Sequence, residues 1–145
     1  MKATAIQGKT LVGSFVHRRK LSASDAAARV KTGLPIREFD ALRELLGLTT
    51  ETLAKKIGIS LATLSRRRHS REGLDPGHGD RVMRFARLFH LVVGLYDGDE
   101  QAARIWLTTP ARALDGQTPL DFADTEAGAR EVEQLIGRLE HSVYT

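Results

Sequence analysis

The chain contains no cysteine. A disulfide framework and a thiolate metal site are therefore both excluded, and the absence fits a reducing compartment. Long apolar runs are missing too: the longest uncharged one, Leu91 to Tyr96, falls far short of the ~20 residues that cross a bilayer. Lys2, Lys9 and Arg18-Arg19-Lys20 have no continuous apolar segment between them, which argues against a secretory signal. The reading is a cytoplasmic protein. The chemistry of a catalyst is equally scarce. The histidines, His17, His69, His78, His90 and His141, include no pair three or four residues apart, so no metal site is expected. Asp97, Asp99 and Glu100 supply too few oxygens for a calcium loop and read as a helix-capping turn. There is no Gly-rich phosphate loop and no serine in a nucleophile elbow. Neither an enzyme nor a cofactor is expected.

What is present is ordinary globular composition, 41% hydrophobic and 28% charged over 145 residues, enough for one compact domain or two small ones. The charge is divided along the chain. Residues 1–95 carry 18 Lys/Arg against 8 Asp/Glu, whereas residues 96–145 carry 4 against 10. A basic front half suits a polyanion, because each Lys or Arg that neutralises a phosphate releases a counterion. The acidic back half would be repelled by the same polyanion. Two surfaces for two partners is the economical reading.

No segment alternates with period two, so the fold class is all-α. Residues 1–21 lack sustained periodicity and read as a loose basic arm. Ser22 to Thr32 reads as a short helix that Ser22 can cap, stopped by Gly33 and Pro35. Ile36, Phe39, Leu42, Leu45 and Leu46 recur at helical spacing up to Gly47. Thr49 caps a helix ending at Gly58, and Ser60 caps the next, running to about Arg71. Gly73, Asp75-Pro76-Gly77 and Gly79 form a breaker cluster. From Asp80 to Tyr96 a wide apolar stripe predicts a central helix, and Glu100 to Thr108 a shorter one carrying the only tryptophan, Trp106. A loop with a helical turn near Pro119 precedes a last helix, capped by Thr125 and apolar at Val132, Leu135, Ile136 and Leu139. The expected division is an arm and short helix (1–33), a DNA-binding domain (34–96) and a C-terminal domain (97–145).

The segment from Thr49 to Arg71 carries the most specific local signal. Two short helices crossing steeply need a small residue where they approach, here Ala54, and a turn residue tolerant of positive φ, here Gly58. Leu53, Ile57, Ile59 and Leu64 are spaced to bury the inner faces. This is a helix-turn-helix. Its second helix offers short side chains to base edges and arginines to guanines or phosphates. Ala62, Thr63 and Arg66 or Arg67 are expected at bases, with Ser60, Ser65, Arg68 and Arg71 on the backbone. The plainer alternative is that the arginine run is a solvated helix end favoured by the helix dipole.

The acidic remainder has its own pattern. Trp106-Leu-Thr-Thr-Pro110, Ala113-Leu-Asp-Gly-Gln-Thr-Pro-Leu-Asp-Phe122, Thr125-Glu-Ala-Gly-Ala-Arg-Glu-Val132 and Leu135-Ile-Gly-Arg-Leu-Glu-His141 with Tyr144 follow one another in order. In this it resembles the toxin-binding domain of the Xre/MbcA/ParS antitoxins, which follows an Xre-like helix-turn-helix as here. The resemblance covers roughly residues 34 to 145. The sequence departs from the family at Ser142, where glycine is frequent, and in its long basic arm.

The resemblance implies an antitoxin, partnered with a RES-domain toxin that consumes NAD⁺, which blocks that enzyme and represses the operon encoding both. The alternative is a stand-alone dimeric repressor whose C-terminal part only dimerises it. Helix-turn-helix proteins usually bind paired half-sites, so a homodimer is expected in either case, within a hetero-oligomer for the antitoxin. Toxin contacts are expected from Arg130, Gln134, Arg138, Glu140, His141, Tyr144 and Thr145. A toxin that binds an anionic pyrophosphate should have an electropositive mouth, which suits Glu131, Glu133 and Glu140. The tail from Arg138 to Thr145, anchored by Tyr144, would enter or cover that mouth; an ordinary amphipathic last helix with a frayed end is the alternative. Gly128 and Gly137 each cost a helix roughly 1 kcal/mol relative to Ala, so close packing is expected at both.

Overall fold

The computed structural model describes residues 10–16 and 23–144. They form an all-α chain in which Leu34 and Leu74 make one isolated antiparallel bridge. The helices are α1 (Leu11–Val16), α2 (Ala23–Thr32), α3 (Ile36–Leu46), α4 (Thr50–Ile57), α5 (Leu61–Ser70), α6 (Pro76–Leu95), α7 (Glu100–Leu107), α8 (Pro119–Phe122) and α9 (Glu126–Tyr144). The chain divides into two compact units, Met1–Ala86 and Arg87–Thr145, and α6 contributes to both.

The first unit is organised by α3, which contacts α1, α4 and α5. Its inward face is the spacing seen in the sequence: Phe39, Leu42, Leu45 and Leu46 are buried. Each helix stop has a local cause. Gly47 and Gly58 both take left-handed conformations, at φ 67° and 84°, and their N–H groups return to carbonyls of the preceding turn. Thr49 and Ser60 open α4 and α5 in the same way: each hydroxyl accepts from the backbone N–H three residues on, at 3.1 Å, and donates to that threonine's hydroxyl at 2.8 Å.

Two expectations need correction. Part of the segment read as a loose arm is built into the fold. Thr10, Leu11 and Val12 are buried, and α1 packs on α3. A helix start leaves backbone donors without intrahelical partners. Here the Thr10 hydroxyl accepts from Gly13, while the carboxylate of buried Glu38 accepts from Leu11 and Val12, all at 3.0 Å. A carboxylate on the neighbouring helix thus completes the cap, which local periodicity could not reveal. Residues 1–9, and Ser22 as a cap for α2, lie outside the described residues.

The second correction concerns the breaker cluster. Pro76, Gly77 and Gly79 form the opening turns of α6, which starts four residues before the expected Asp80. Proline is tolerated at a helix start, where its missing N–H would be unpaired anyway. Gly79 makes a tight approach, since a Cβ there would lie 3.3 Å from Leu34 Cβ. Gly73, just upstream, is required, because a Cβ would come within 2.9 Å of three backbone atoms of Gly33 and Leu34. That close crossing sits beside the bond that Leu74 N–H donates to the Leu34 carbonyl at 2.7 Å.

In the second unit, Leu88, Phe89 and Val92 of α6 are buried, as are Ala103 and Leu107 of α7, Leu120 of α8, and Val132 and Ile136 of α9. Asp99 caps α7 and Thr118 caps α8, which contacts both α7 and α9. Thr125 accepts from Gly128 N–H at 3.0 Å, as the sequence reading places the start of the last helix. Gly128 is required: a Cβ would lie 1.8 Å from the Phe122 carbonyl oxygen. Gly137 differs, with nothing within 4 Å of its Cβ position. The expectation of close packing holds at the first glycine and finds no neighbour among the described residues at the second.

Candidate functional site

The helix-turn-helix is α4, a three-residue turn and α5. Ala54 is buried at the crossing, and Leu53, Ile57, Ile59 and Leu64 close the inner faces. Gly58 does more than permit the turn. A Cβ on it would lie 2.6 Å from Arg81 Nη1, the same nitrogen that donates to the Ile57 carbonyl at 2.7 Å. His78 Nε2 lies 3.2 Å from the Gly58 carbonyl. The first turns of α6 therefore hold the motif's turn through Arg81 and His78, two residues the sequence reading did not connect with it. No short-range signal links positions twenty residues apart.

The recognition helix α5 buries only Leu64. Opposite it, Ala62, Arg66 and His69 recur at steps of four and three, flanked by Ser65, and all four are exposed. His69 belongs to this stripe although the sequence reading passes over it. Ser60 and Thr63 are partly committed, since their hydroxyls bond each other in the cap. The three arginines then separate. Arg67 turns inward, its side chain 18% exposed; it donates to the Gly73 carbonyl at 2.7 Å and to Asp75 at 2.8 Å, and meets Glu72 at 3.6 Å. Arg68 forms a forked pair with Asp40 of α3 at 2.7 and 3.0 Å. The Asp40 hydrogen bond raises the Arg68 pKa above its ordinary value. Arg66 and Arg71 are exposed and carry no ion pair among the described residues.

In the second unit the long face of α9 exposes Arg130, Gln134, Arg138 and His141 in one line, with Glu140 beside it, away from buried Val132 and Ile136. The side chain of Tyr144 and all of Thr145 lie outside the described residues. Glu133, expected on the acidic outer surface, is instead held by Arg87 at 2.9 Å, and Glu126 by the same guanidinium at 3.1 Å. Burial works against the Arg87 charge, but Glu126 and Glu133 outweigh it and leave its pKa raised. Arg68 and Arg87 stay charged at any working pH, and the stability their raised pKa values contribute is fully present there, being lost only as pH rises past them. Glu131 and Glu140 remain exposed.

Among the described residues no group of three or more His, Cys, Asp or Glu could hold a metal ion, and no helix is long and apolar enough to cross a membrane.

Comparison with known proteins divides the chain at nearly the same boundary as its two compact units. Residues 25–87 match the antitoxin Xre-like helix-turn-helix domain, and residues 88–141 match the antitoxin Xre/MbcA/ParS C-terminal toxin-binding domain. An Antitoxin Xre of Yersinia enterocolitica is 33% identical over 116 residues, covering 80% of this chain and 78% of its own. An Antitoxin Xre of Photorhabdus laumondii is 32% identical with the same coverage. Relatives of this kind point to a regulatory rather than an enzymatic protein. With a helix-turn-helix held by α6 and a separate helical unit presenting α9, the chain belongs to the Xre antitoxin family, whose members join an Xre-like DNA-binding domain to an Xre/MbcA/ParS toxin-binding domain.

Proposed function

We propose that the protein is a cytoplasmic antitoxin that neutralises a RES-domain, NAD⁺-consuming toxin and represses the promoter of the operon encoding both. What carries the reading is the union in one chain of a DNA-binding module, its recognition stripe clear of ion pairs at Arg66, and a second unit of the toxin-binding family. On DNA, Ala62, Ser65, Arg66 and His69 face the bases, while Ser60, Thr63 and Arg71 contact the backbone. Arg67 and Arg68 fix the helix against Asp75 and Asp40 and act by orientation. Two copies bind as a dimer to half-sites one helical turn apart.

On the toxin side, Arg130, Gln134, Arg138 and His141 form the docking line. Glu140 and the tail through Tyr144 and Thr145 cover the electropositive mouth of the NAD⁺ site. Co-expression with the neighbouring gene tests the whole reading. Growth arrest by the neighbour alone, with loss of cellular NAD⁺, must be relieved by this protein; arrest that persists rejects it. Deleting residues 140 to 145 separates the tail from the rest, since full neutralisation by the truncated protein would remove the tail's role.

A further inference from the structure

Three large apolar side chains are exposed among the described residues: Leu61 on the recognition helix, and Tyr96 and Ile105 in the second unit, 38% and 56% exposed. The latter two are not isolated. Tyr96, Ala102, Ile105, Trp106 and Thr109 line one shallow, almost wholly apolar depression. Ala102, Ile105 and Trp106, at steps of three and four, form the outer face of α7, and Thr109 continues it just past the helix end. Its inner face, Ala103 and Leu107, is fully buried. The helix is therefore apolar on both sides, and the described residues cover only one. A contiguous exposed apolar face marks an interaction surface in a way that scattered leucines do not.

Charge at its edge selects the occupant. Asp97 and Asp99 are exposed in the turn from Tyr96 into α7, and Glu100 opens the helix. Arg104, the cation of this helix, is matched internally by Glu100 at 3.6 Å and Gln101 at 3.1 Å. A second copy docked on this face would bring an acidic edge against its own kind, which disfavours association. A partner with an apolar ridge and a basic rim meets both requirements. An enzyme that binds an anionic dinucleotide has reason to be basic near its site.

We infer that the outer face of α7, centred on Ile105 and Trp106 with Tyr96 beside them, is a docking surface for the toxin, additional to α9. This rests on the function proposed above. The test uses the full-length chain and the purified toxin encoded beside it, with affinity measured by calorimetry, free-protein mass by light scattering and operator binding in parallel. Ile105→Lys should weaken toxin binding by at least about tenfold, as loss of a central apolar anchor does. Ile105→Leu should stay within about twofold, and so should Gln117→Lys, which adds the same charge at an exposed position outside the depression. Mass and operator affinity should match the wild type in all three. Unchanged toxin affinity in Ile105→Lys overturns the assignment. A fall in the free protein's mass with that substitution also overturns it, because the face then joins two copies. Absence of toxin binding by the wild type instead rejects the underlying function.

Discussion

Arg66, Arg67 and Arg68 are consecutive in the first unit, yet only Arg66 stands clear of a carboxylate, whereas the second unit uses one arginine, Arg87, to hold two glutamates of α9. The contrast shows that an arginine's role follows from the acid within its reach, not from the basicity of its neighbours. In the first unit this sorts a run of like residues into two held by carboxylates and one that is not. In the second it ties Glu133 and Glu126 of α9 to one guanidinium. The units also differ in what they leave uncovered: the first shows mainly charge around one leucine, the second a connected apolar face.

The largest expected effect breaks the second unit and spares the first. Gly128→Ala places a methyl group inside the contact distance of the Phe122 carbonyl. It should destabilise the α8–α9 turn by on the order of 3 kcal/mol. Two thermal transitions, with only the toxin-binding one lowered, are the expected signature; an unchanged melting curve would show that the turn relaxes freely. Next comes the division among the arginines. Arg67→Ala leaves the Gly73 carbonyl and Asp75 without their donor and should cost about 1–3 kcal/mol in denaturant unfolding. Arg66→Ala should leave stability within about 0.5 kcal/mol, while lowering operator affinity roughly tenfold or more. Reversed outcomes for this pair would refute the assignment of reader and brace.

Smaller effects sharpen the comparison. Asp40→Asn releases Arg68 from an exposed pair, so stability should change by less than about 1 kcal/mol. The freed guanidinium should raise operator affinity a fewfold and steepen the salt dependence by up to about one unit of slope. A constant slope would mean that Arg68 stays off the DNA. The smallest effect is Gly137→Ala. With open space at the Cβ position, it should stabilise α9 by up to about 1 kcal/mol. If toxin affinity then falls while stability rises, the glycine serves a partner's close approach.

The two surfaces were unequally legible. Thr49, Ser60, Ala54 and Gly58 act within a few residues of one another, so the helix-turn-helix could be read from spacing alone. The start of α6 is not legible locally, because proline and glycines signal a break but also suit a helix start that passes close to Leu34. The packing of α1 is hidden in the sequence for a related reason. Its cap is Glu38, more than twenty residues away, and a buried glutamate looks in the sequence like any other charge on a helix.

The sequence by itself determined the helical periods, the caps and turns, the division of charge and the family, because each depends on neighbours in the chain or on the order of residues. Only the tertiary structure decided which arginines are paired, why Gly73 and Gly128 tolerate no side chain, and which face of α7 the described residues leave uncovered. Those outcomes depend on which atoms from distant segments arrive within a few ångströms. Ion pairing and steric exclusion vanish beyond that distance, so no pattern along the chain records them.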